Sequence, residues 1–199
     1  MLSVVIQAGG QSSRMGQDKA LKPFLGRPLI QRVIGRLQPI ADELLVTTNH
    51  PEAYAFLDLP LFSDLKPGRG ALGGLYTALF SAKHSMVAVV ACDMPFANPE
   101  LFKAASTILV QEAADVVIAR TEEGYEPLHA VYRRGSCIPA IEAALASDKW
   151  RMDSWFPHVK LRLLTSDEVQ RCDPDRLAFS NINTPEEFAQ AEQRARLSN

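Results

Sequence analysis

The sequence has few cysteines, and they are far apart. Its 199 residues include three, Cys92, Cys137 and Cys172, and no CxxC pair occurs. Zinc sites and disulfide frameworks are built from closely spaced or paired cysteines, so neither is indicated. We therefore expect free thiols and a reducing, cytoplasmic compartment.

The sequence also lacks a basic excess and a long apolar run. The formal net charge is -2, whereas nucleic-acid-binding domains are usually strongly basic. No apolar segment approaches the ~18 residues of a transmembrane helix, and the first residues do not show the pattern of a signal peptide. We expect no nucleic-acid partner and no membrane association.

Short strand-like segments alternate with longer helical segments. Predicted strands cover residues 2–6, 43–49, 59–62, 85–93, 115–120 and 127–134. Predicted helices cover residues 28–39, 75–83, 98–114, 137–147 and 184–196, and Asn98 and Thr184 stand before prolines as N-caps. This alternation predicts an α/β three-layer sandwich with a mainly parallel, Rossmann-like sheet, formed by a single domain over residues 1–199.

Polar residues follow several of the predicted strands. The loop from Ala8 to Lys19 follows the first strand, while Asn49, Asp64 and Asp93 stand at or after the ends of later strands. Because ligands of such sheets bind beyond the carboxyl ends of the strands, we expect these residues to share one site.

The loop after the first strand has the composition of a phosphate-binding segment. It begins "QAGGQSSRMGQDKAL", in which Gly9 and Gly10 allow a tight turn and Arg14 and Lys19 supply positive charge. It contains neither GxxxxGK[ST] nor GxGxxG, so it is not a P-loop or a dinucleotide fingerprint. A triphosphate cradle is the favoured interpretation, and a solvated surface loop is the alternative.

Five segments resemble one family in order and in spacing. These are "AGGQSSRMGQDKALKPFLGRPLI", "GALGGLYTAL", "VACDMPF", "EPLHAVYR" and "NINTPEEF". They are similar to the molybdenum cofactor guanylyltransferases, and the resemblance covers essentially the whole chain. It implies a fold of the nucleotide-diphospho-sugar transferase type. It also implies Mg²⁺-dependent transfer of GMP from GTP to molybdopterin with release of pyrophosphate.

The resemblance also implies roles for individual residues. The catalytic candidates are Arg14, Lys19 and Asp93. The nucleotide-binding candidates are Gln7, Ala8, Gly9, Gly10, Lys19, Asn49, Asp64, Gly74 and Asp93. The candidate ligands of Mg²⁺ are Asp93 and Asn183, although an asparagine before a capping threonine is also common in structural turns.

The chain departs from the family pattern at two places that bear on the nucleotide. Gln7 stands where the family usually has leucine, and residues 70–74 read GALGG where it usually has GPLAG. The contacts to the second substrate are the least defined. The candidates are basic residues of the later half: His129, Arg133, Lys149 and Arg151. A lone histidine in such a segment is more often a packed residue, and Lys149 and Arg151 are also explained by a solvated helix start.

Other functions remain open. A cytidylyltransferase of the same fold would share the loop chemistry, although AGG rather than AAG favours guanine by resemblance. A non-catalytic nucleotide- or cofactor-binding partner of a molybdoenzyme would need less charge than Arg14, Lys19 and Asp93 provide. A Rossmann oxidoreductase would need the missing glycine fingerprint. The expected partners are GTP and molybdopterin, with molybdoenzymes or other cofactor-biosynthesis proteins as further partners.

Overall fold

The computed structural model describes residues 1–8 and 18–197. The strands in these residues are β1 Leu2–Gln7, β2 Pro23–Phe24, β3 Arg27–Pro28, β4 Glu43–Thr47, β5 Leu61–Phe62, β6 Met86–Ala91, β7 Val116–Thr121, β8 Gly124–Arg133 and β9 Leu161–Leu163. The helices are α1 Leu29–Leu37, α2 Pro51–Tyr54, α3 Gly70–Ser81, α4 Pro99–Gln111, α5 Arg134–Ala146, α6 Ser166–Cys172 and α7 Pro185–Leu197. Short 3-10 turns lie between several of them.

The main sheet is mostly parallel, as the sequence predicts. Its strand order is β5-β4-β1-β6-β8-β7-β9. β1 pairs in parallel with β4 and β6, β4 with β5, and β7 with β9. β8 is antiparallel to both of its neighbours. The carboxyl ends of the other six strands therefore share one edge.

Both faces of the sheet are covered, which explains why β1 reads as a continuous apolar run. Val4 and Ile6 pack into a cluster that includes residues of α1, α2 and α4. Val5 points the other way, into a cluster that includes residues of α3 and α5. Alternate side chains of a strand face opposite sides, so a strand buried on both faces is apolar throughout. The three predicted layers are confirmed.

A third cluster joins the β2–β3 hairpin to the C-terminal helix α7. Phe24 of the β2–β3 hairpin meets Ile182 and the α7 residues Ala191 and Ala195. The rings of Phe24 and Phe188 also contact edge to face, with centroids 5.5 Å apart. Helix α7 therefore packs beside the segment that follows the opening loop, and residues 182–183 lie next to Lys19.

Several predicted boundaries are wrong. Helix α3 begins at Gly70, five residues before the predicted start, because the glycine segment is its first turn rather than a loop. Helix α5 likewise begins at Arg134 instead of residue 137. The predicted caps are confirmed: the Asn98 carboxamide accepts from Glu100 N at 2.8 Å, and Thr184 and Glu187 cap each other's backbone.

The short elements β2, β3, α2, β9 and α6 were not predicted from the sequence. All three cysteines are free. Among the helices of residues 1–8 and 18–197, none combines the length and the apolar composition that crossing a membrane requires.

Candidate active site

Four parallel strands deliver polar residues to one edge of the sheet. Gln7 ends β1, and Asn49, Asp64 and Asp93 each stand two residues beyond the last residue of β4, β5 and β6. The structure thus places these predicted site residues along the carboxyl edge. Gly9, Gly10 and Arg14, also predicted, lie outside the described residues.

Lys19, at the end of the opening loop, contacts the segment that precedes α7 at this edge. Its Nζ donates to Ile182 O at 3.0 Å and to Asn183 Oδ1 at 3.1 Å. The same Nζ lies 3.7 Å from Asp93 Oδ2. The Lys19 side chain is 15% exposed, so the ammonium is held by these three groups while one side stays accessible. Three predicted site residues, far apart in sequence, are therefore in contact.

The backbone of Asp93 is fixed, but the negative charge of its carboxylate is only partly compensated. Its carbonyl accepts from Ile182 N at 3.0 Å, which ties the end of β6 to the C-terminal segment. Burial raises the pKa of the Asp93 carboxyl, and the nearby Lys19 only partly offsets this effect. A carboxylate that is desolvated in this way gains from an additional cation.

A hydrogen bond that the sequence does not signal fixes the residue before Lys19. The Tyr54 hydroxyl of α2 donates to Asp18 Oδ2 at 2.5 Å. The other oxygen, Asp18 Oδ1, accepts from Ala20 N at 3.1 Å and so caps the turn that carries Lys19. Tyr54 is fully buried, and burial together with this bond raises its pKa. Asp18 and Tyr54 therefore orient the Lys19 backbone.

Asn49 and Asp64 form a reciprocal pair. Asn49 Nδ2 donates to Asp64 Oδ2 at 3.1 Å, and Asp64 N donates to Asn49 Oδ1 at 3.0 Å. Both hydrogen bonds are exposed, which leaves the free edges of the carboxylate and the carboxamide accessible. An exposed amide–carboxylate pair can offer donors and acceptors to a polar ring or a sugar hydroxyl.

The amide of Gln7 is buried against Gly74 of α3. Gln7 is 8% exposed, and its Nε2 has no partner among the described residues. A Cβ on Gly74 would lie 3.5 Å from this amide, whereas one on Gly73 would lie 2.8 Å from Lys66 O. Gly73 is therefore required by the close approach of the 66–69 backbone. The Ala8 N–H is already used, since it donates to Thr47 O at 2.8 Å.

The site has few protein ligands for a metal. The described residues contain no group of three or more His, Cys, Asp or Glu side chains able to bind an ion. Asp93 and Asn183 share Lys19 as a partner and both present oxygen atoms. One carboxylate and one amide oxygen suit a cation whose other ligands are phosphate oxygens and water.

The basic candidates for the second substrate are not gathered at this edge. His129 is buried: its Nε2 accepts from Asn98 N at 3.1 Å and its ring stacks on Phe102 at 4.1 Å. Burial lowers the His129 pKa to about 4, so it is a neutral packing residue. Arg133 pairs in register with Met86 at the opposite edge and donates to Ala114 O. Arg151 pairs with the nearby Asp153 in solvent. The Lys149 side chain forms no ion pair within residues 1–8 and 18–197.

A cleft on the other side of Asp93 was not predicted. It has a volume of ≈ 920 Å³ and lies between the β7–β8 hairpin, residues 176–183 and α7. Pro95, Ile182 and Asn183 line its inner end, and Thr121 and Glu126 line the hairpin side. The cleft therefore reaches from Asn183, a member of the Lys19–Asp93–Asn183 cluster, to the β7–β8 hairpin.

Comparison with known sequences decides the family. Residues 4–158 match the profile of the MobA-like NTP transferase domain. The chain belongs to this family. A probable molybdenum cofactor guanylyltransferase of Peptoclostridium acidaminophilum is 37% identical over 196 residues, 96% of this chain and 88% of the relative. The molybdenum cofactor guanylyltransferase of Desulfosudis oleivorans is 35% identical over 191 residues, 94% and 93% of the two chains.

Solved structures of other MobA-like and related proteins share the fold. Molybdopterin-guanine dinucleotide biosynthesis protein A from Archaeoglobus fulgidus superimposes with a TM-score of 0.84 at 23% identity, covering 98% of this chain and 99% of that chain. The 4-diphosphocytidyl-2C-methyl-D-erythritol synthase of Anaerococcus prevotii gives 0.70 at 14% identity, covering 100% and 99%. The predicted resemblance and fold are confirmed, and this MobA-like transferase is a nucleotidyltransferase.

Proposed function

We propose that this MobA-like transferase transfers GMP from GTP to the terminal phosphate of molybdopterin and releases pyrophosphate. Relatives that match along more than nine-tenths of the chain carry the name molybdenum cofactor guanylyltransferase. The observation that carries the proposal is the cluster of Lys19, Asp93 and Asn183 at the carboxyl edge. Such a cluster of one cation and two oxygen donors suits phosphoryl chemistry.

The nucleotide is assigned to the β5–β4–β1 side of this cluster. Gln7, the Asn49–Asp64 pair and Gly74 lie there, and glycine at the start of α3 admits a flat base close to the backbone. Gly9, Gly10 and Arg14 are proposed to hold the triphosphate, and Ala8 precedes them. The Asn49–Asp64 pair is proposed to bind the base or the ribose through its accessible edge.

A divalent cation is normal for nucleotidyltransferases, and we propose Mg²⁺ here. Asp93 and Asn183 would hold it, together with phosphate oxygens and water. When bound, it would neutralise the triphosphate and make the α-phosphorus easier to attack. The raised pKa of Asp93 fits this role, because a nearby cation stabilises the ionised carboxylate.

The protein's own groups position the reactants and compensate charge. A bond forms between an oxygen of the acceptor phosphate and the α-phosphorus of GTP, while the bond from that phosphorus to the bridging oxygen breaks. The electron pair leaves with pyrophosphate. Lys19 and Arg14, which stands five residues before it in the sequence, are proposed to stabilise the charge that develops on the leaving group. No side chain has to form a covalent intermediate.

We assign the acceptor to the ≈ 920 Å³ cleft, because it begins at Asn183 and leads away from the nucleotide side. The experiment is single-turnover formation of the dinucleotide from GTP and molybdopterin with Mg²⁺, followed by mass spectrometry. Wild type should form it, and Asp93→Asn should not, while keeping the thermal unfolding midpoint. An Asp93→Asn variant with wild-type turnover would contradict the assigned mechanism.

Three expectations about domain organisation, location and partners stay predictions. They are the single domain over residues 1–199, the cytoplasmic location, and binding to molybdoenzymes or other cofactor-biosynthesis proteins.

A further inference from the structure

Four glutamates line the acceptor cleft, and Glu126 is the one among them that is half-buried rather than exposed. Glu126 stands on β8 and forms part of the hairpin wall of the cleft. Its neighbours Tyr125 and Pro127 point to the other face of the hairpin, where they line a separate cleft with Phe156. The alternation of the strand therefore directs Glu126 alone of these three into the acceptor cleft.

Glu126 is held in place by a neutral group only. Thr121 Oγ1 donates to Glu126 Oε1 at 2.8 Å, and Thr121 is itself fixed by Glu123 N, which donates to it at 3.3 Å. Burial raises the pKa of the Glu126 carboxyl, and the Thr121 hydroxyl offsets this only in part. The remaining oxygen, Oε2, has no protein donor within the described part of the chain.

Glu126 forms no ion pair within the described residues, although the cations Arg120, Arg176 and Arg194 line the same cleft. Arg120, the nearest in sequence, has its guanidinium over the Tyr125 ring at 5.4 Å. Arg162 is engaged by Glu112 and Glu168. Charged side chains are rarely left half-buried without a partner, and a group of this kind in a cleft is a candidate for ligand binding.

The chemistry of this carboxylate fits one end of the proposed acceptor. A 2-amino-4-oxopteridine presents a ring N–H and an amino N–H side by side. A carboxylate can accept both in parallel, as it accepts the two donors of a guanidinium. Resting on the proposed function, we propose that Glu126 binds the pyrimidine edge of the pterin and so selects the acceptor.

The strand order separates this role from recognition of guanine, which has the same donor edge. The nucleotide side is β5–β4–β1, Asp93 follows β6, and Glu126 is on β8 beyond it. A bound acceptor would then have its pterin at Glu126 and its phosphate at Lys19 and Asn183. Removing Glu126 should affect the acceptor and leave GTP binding unchanged.

The test measures binding of two fluorescent probes to the full chain without GTP. One probe is 6-hydroxymethylpterin phosphate, and the other is the matching lumazine, in which an oxo group replaces the 2-amino donor. Wild type should prefer the pterin by about tenfold or more, the factor expected when one charge-assisted donor is lost. Glu126→Gln should bind the pterin about 10- to 100-fold more weakly and lose the preference.

Control variants separate this role from a structural one. Glu100→Gln removes an exposed acid on α4 whose side chain pairs with Lys103, and this variant should bind both probes as wild type does. Thr121→Ala removes the hydroxyl that orients Glu126 and should weaken pterin binding by a smaller factor. If Glu126→Gln shifts the unfolding midpoint, Thr121→Ala decides the question instead. Equal pterin affinity in the decisive variant and wild type overturns the proposal.

Turnover distinguishes this inference from the proposed function. A wild-type enzyme that forms the dinucleotide, with an acceptor KM unchanged in Glu126→Gln, overturns the Glu126 role alone. Glu126-dependent pterin binding without any dinucleotide formation supports the Glu126 role and overturns the guanylyl transfer. For Glu126→Gln we expect three results together: a higher KM for the acceptor, an unchanged KM for GTP, and no preference for the pterin probe over the lumazine probe.

Discussion

Replacing Lys19 with methionine tests how far the reaction depends on one positive charge. Methionine keeps an unbranched apolar stem of similar size and removes the ammonium. That group is held by Ile182 O at 3.0 Å, Asn183 Oδ1 at 3.1 Å and Asp93 Oδ2 at 3.7 Å. The substitution therefore removes the contact between the end of the opening loop and residues 182–183.

The structure predicts a larger effect on catalysis than on stability. The two hydrogen bonds contribute about 0.5–1.5 kcal/mol each, and the partly exposed pair with Asp93 adds about 1 kcal/mol or less. The free energy of unfolding should therefore fall by about 1–4 kcal/mol. Loss of a positioned charge from the transition state should lower kcat by about 10²–10³-fold, equivalent to about 3–4 kcal/mol.

The assay is pyrophosphate release with saturating GTP and molybdopterin, beside urea unfolding of the same preparations. Lys22→Met is the matched control, because Lys22 lies three residues on and shows no ion pair in the described part of the chain. It should keep wild-type kcat. A Lys19→Met enzyme within threefold of wild-type kcat would refute the assigned role, since no other described cation contacts Asp93.

Three further predictions follow from packing and titration. Tyr54→Phe keeps the buried ring but removes the bond to Asp18, so kcat should fall with a smaller change in KM for GTP, as steady-state kinetics would show. Gly73→Ala should lower the unfolding free energy by about 1–3 kcal/mol, because the new Cβ would clash with Lys66 O. Gly35→Ala has open space in α1 and should raise the unfolding free energy by up to about 1 kcal/mol. Urea titrations in which both variants change stability in the same direction would contradict this prediction. The pKa of His129 is about 4 in the folded protein, against about 6.5 when unfolded. As pH falls, the unfolded state therefore takes up the proton first, and up to about 3 kcal/mol of stability should be lost between about pH 6.5 and 4. Urea titrations at several pH values should show a smaller loss in His129→Asn.

The layers of the fold follow from local sequence patterns. The run "LSVVI" is apolar at every position because both faces of β1 are covered, and this already favours a central parallel strand. The Asn98 and Thr184 caps are similarly local, because their partners lie within three residues. The start of α3 was missed because glycine-rich composition normally indicates a loop, and here tight packing against residues 66–69 requires glycine in a helix.

The site could be predicted only in part. Asp93 follows an apolar strand, which is a local signal, but its contact with Lys19 joins residues that are distant in sequence. The position of Asn183 came from the family resemblance alone. Tyr54 gave no signal, since a buried tyrosine in a short helix looks like any core residue until its hydroxyl is seen on Asp18. Glu126 was hidden for the same reason, because only the folded hairpin shows that it lines a cleft and has Thr121 as its side-chain partner.

The most direct test of the account is pyrophosphate release from the purified protein with molybdopterin and Mg²⁺, using GTP, CTP, ATP and UTP in parallel. The account predicts release with GTP and at most a trace with the other three. Release with CTP in preference to GTP would contradict the guanylyl assignment while leaving the fold and the Lys19–Asp93 centre in place. Absence of release with every nucleotide, from a protein that still binds GTP, would contradict the transfer reaction itself.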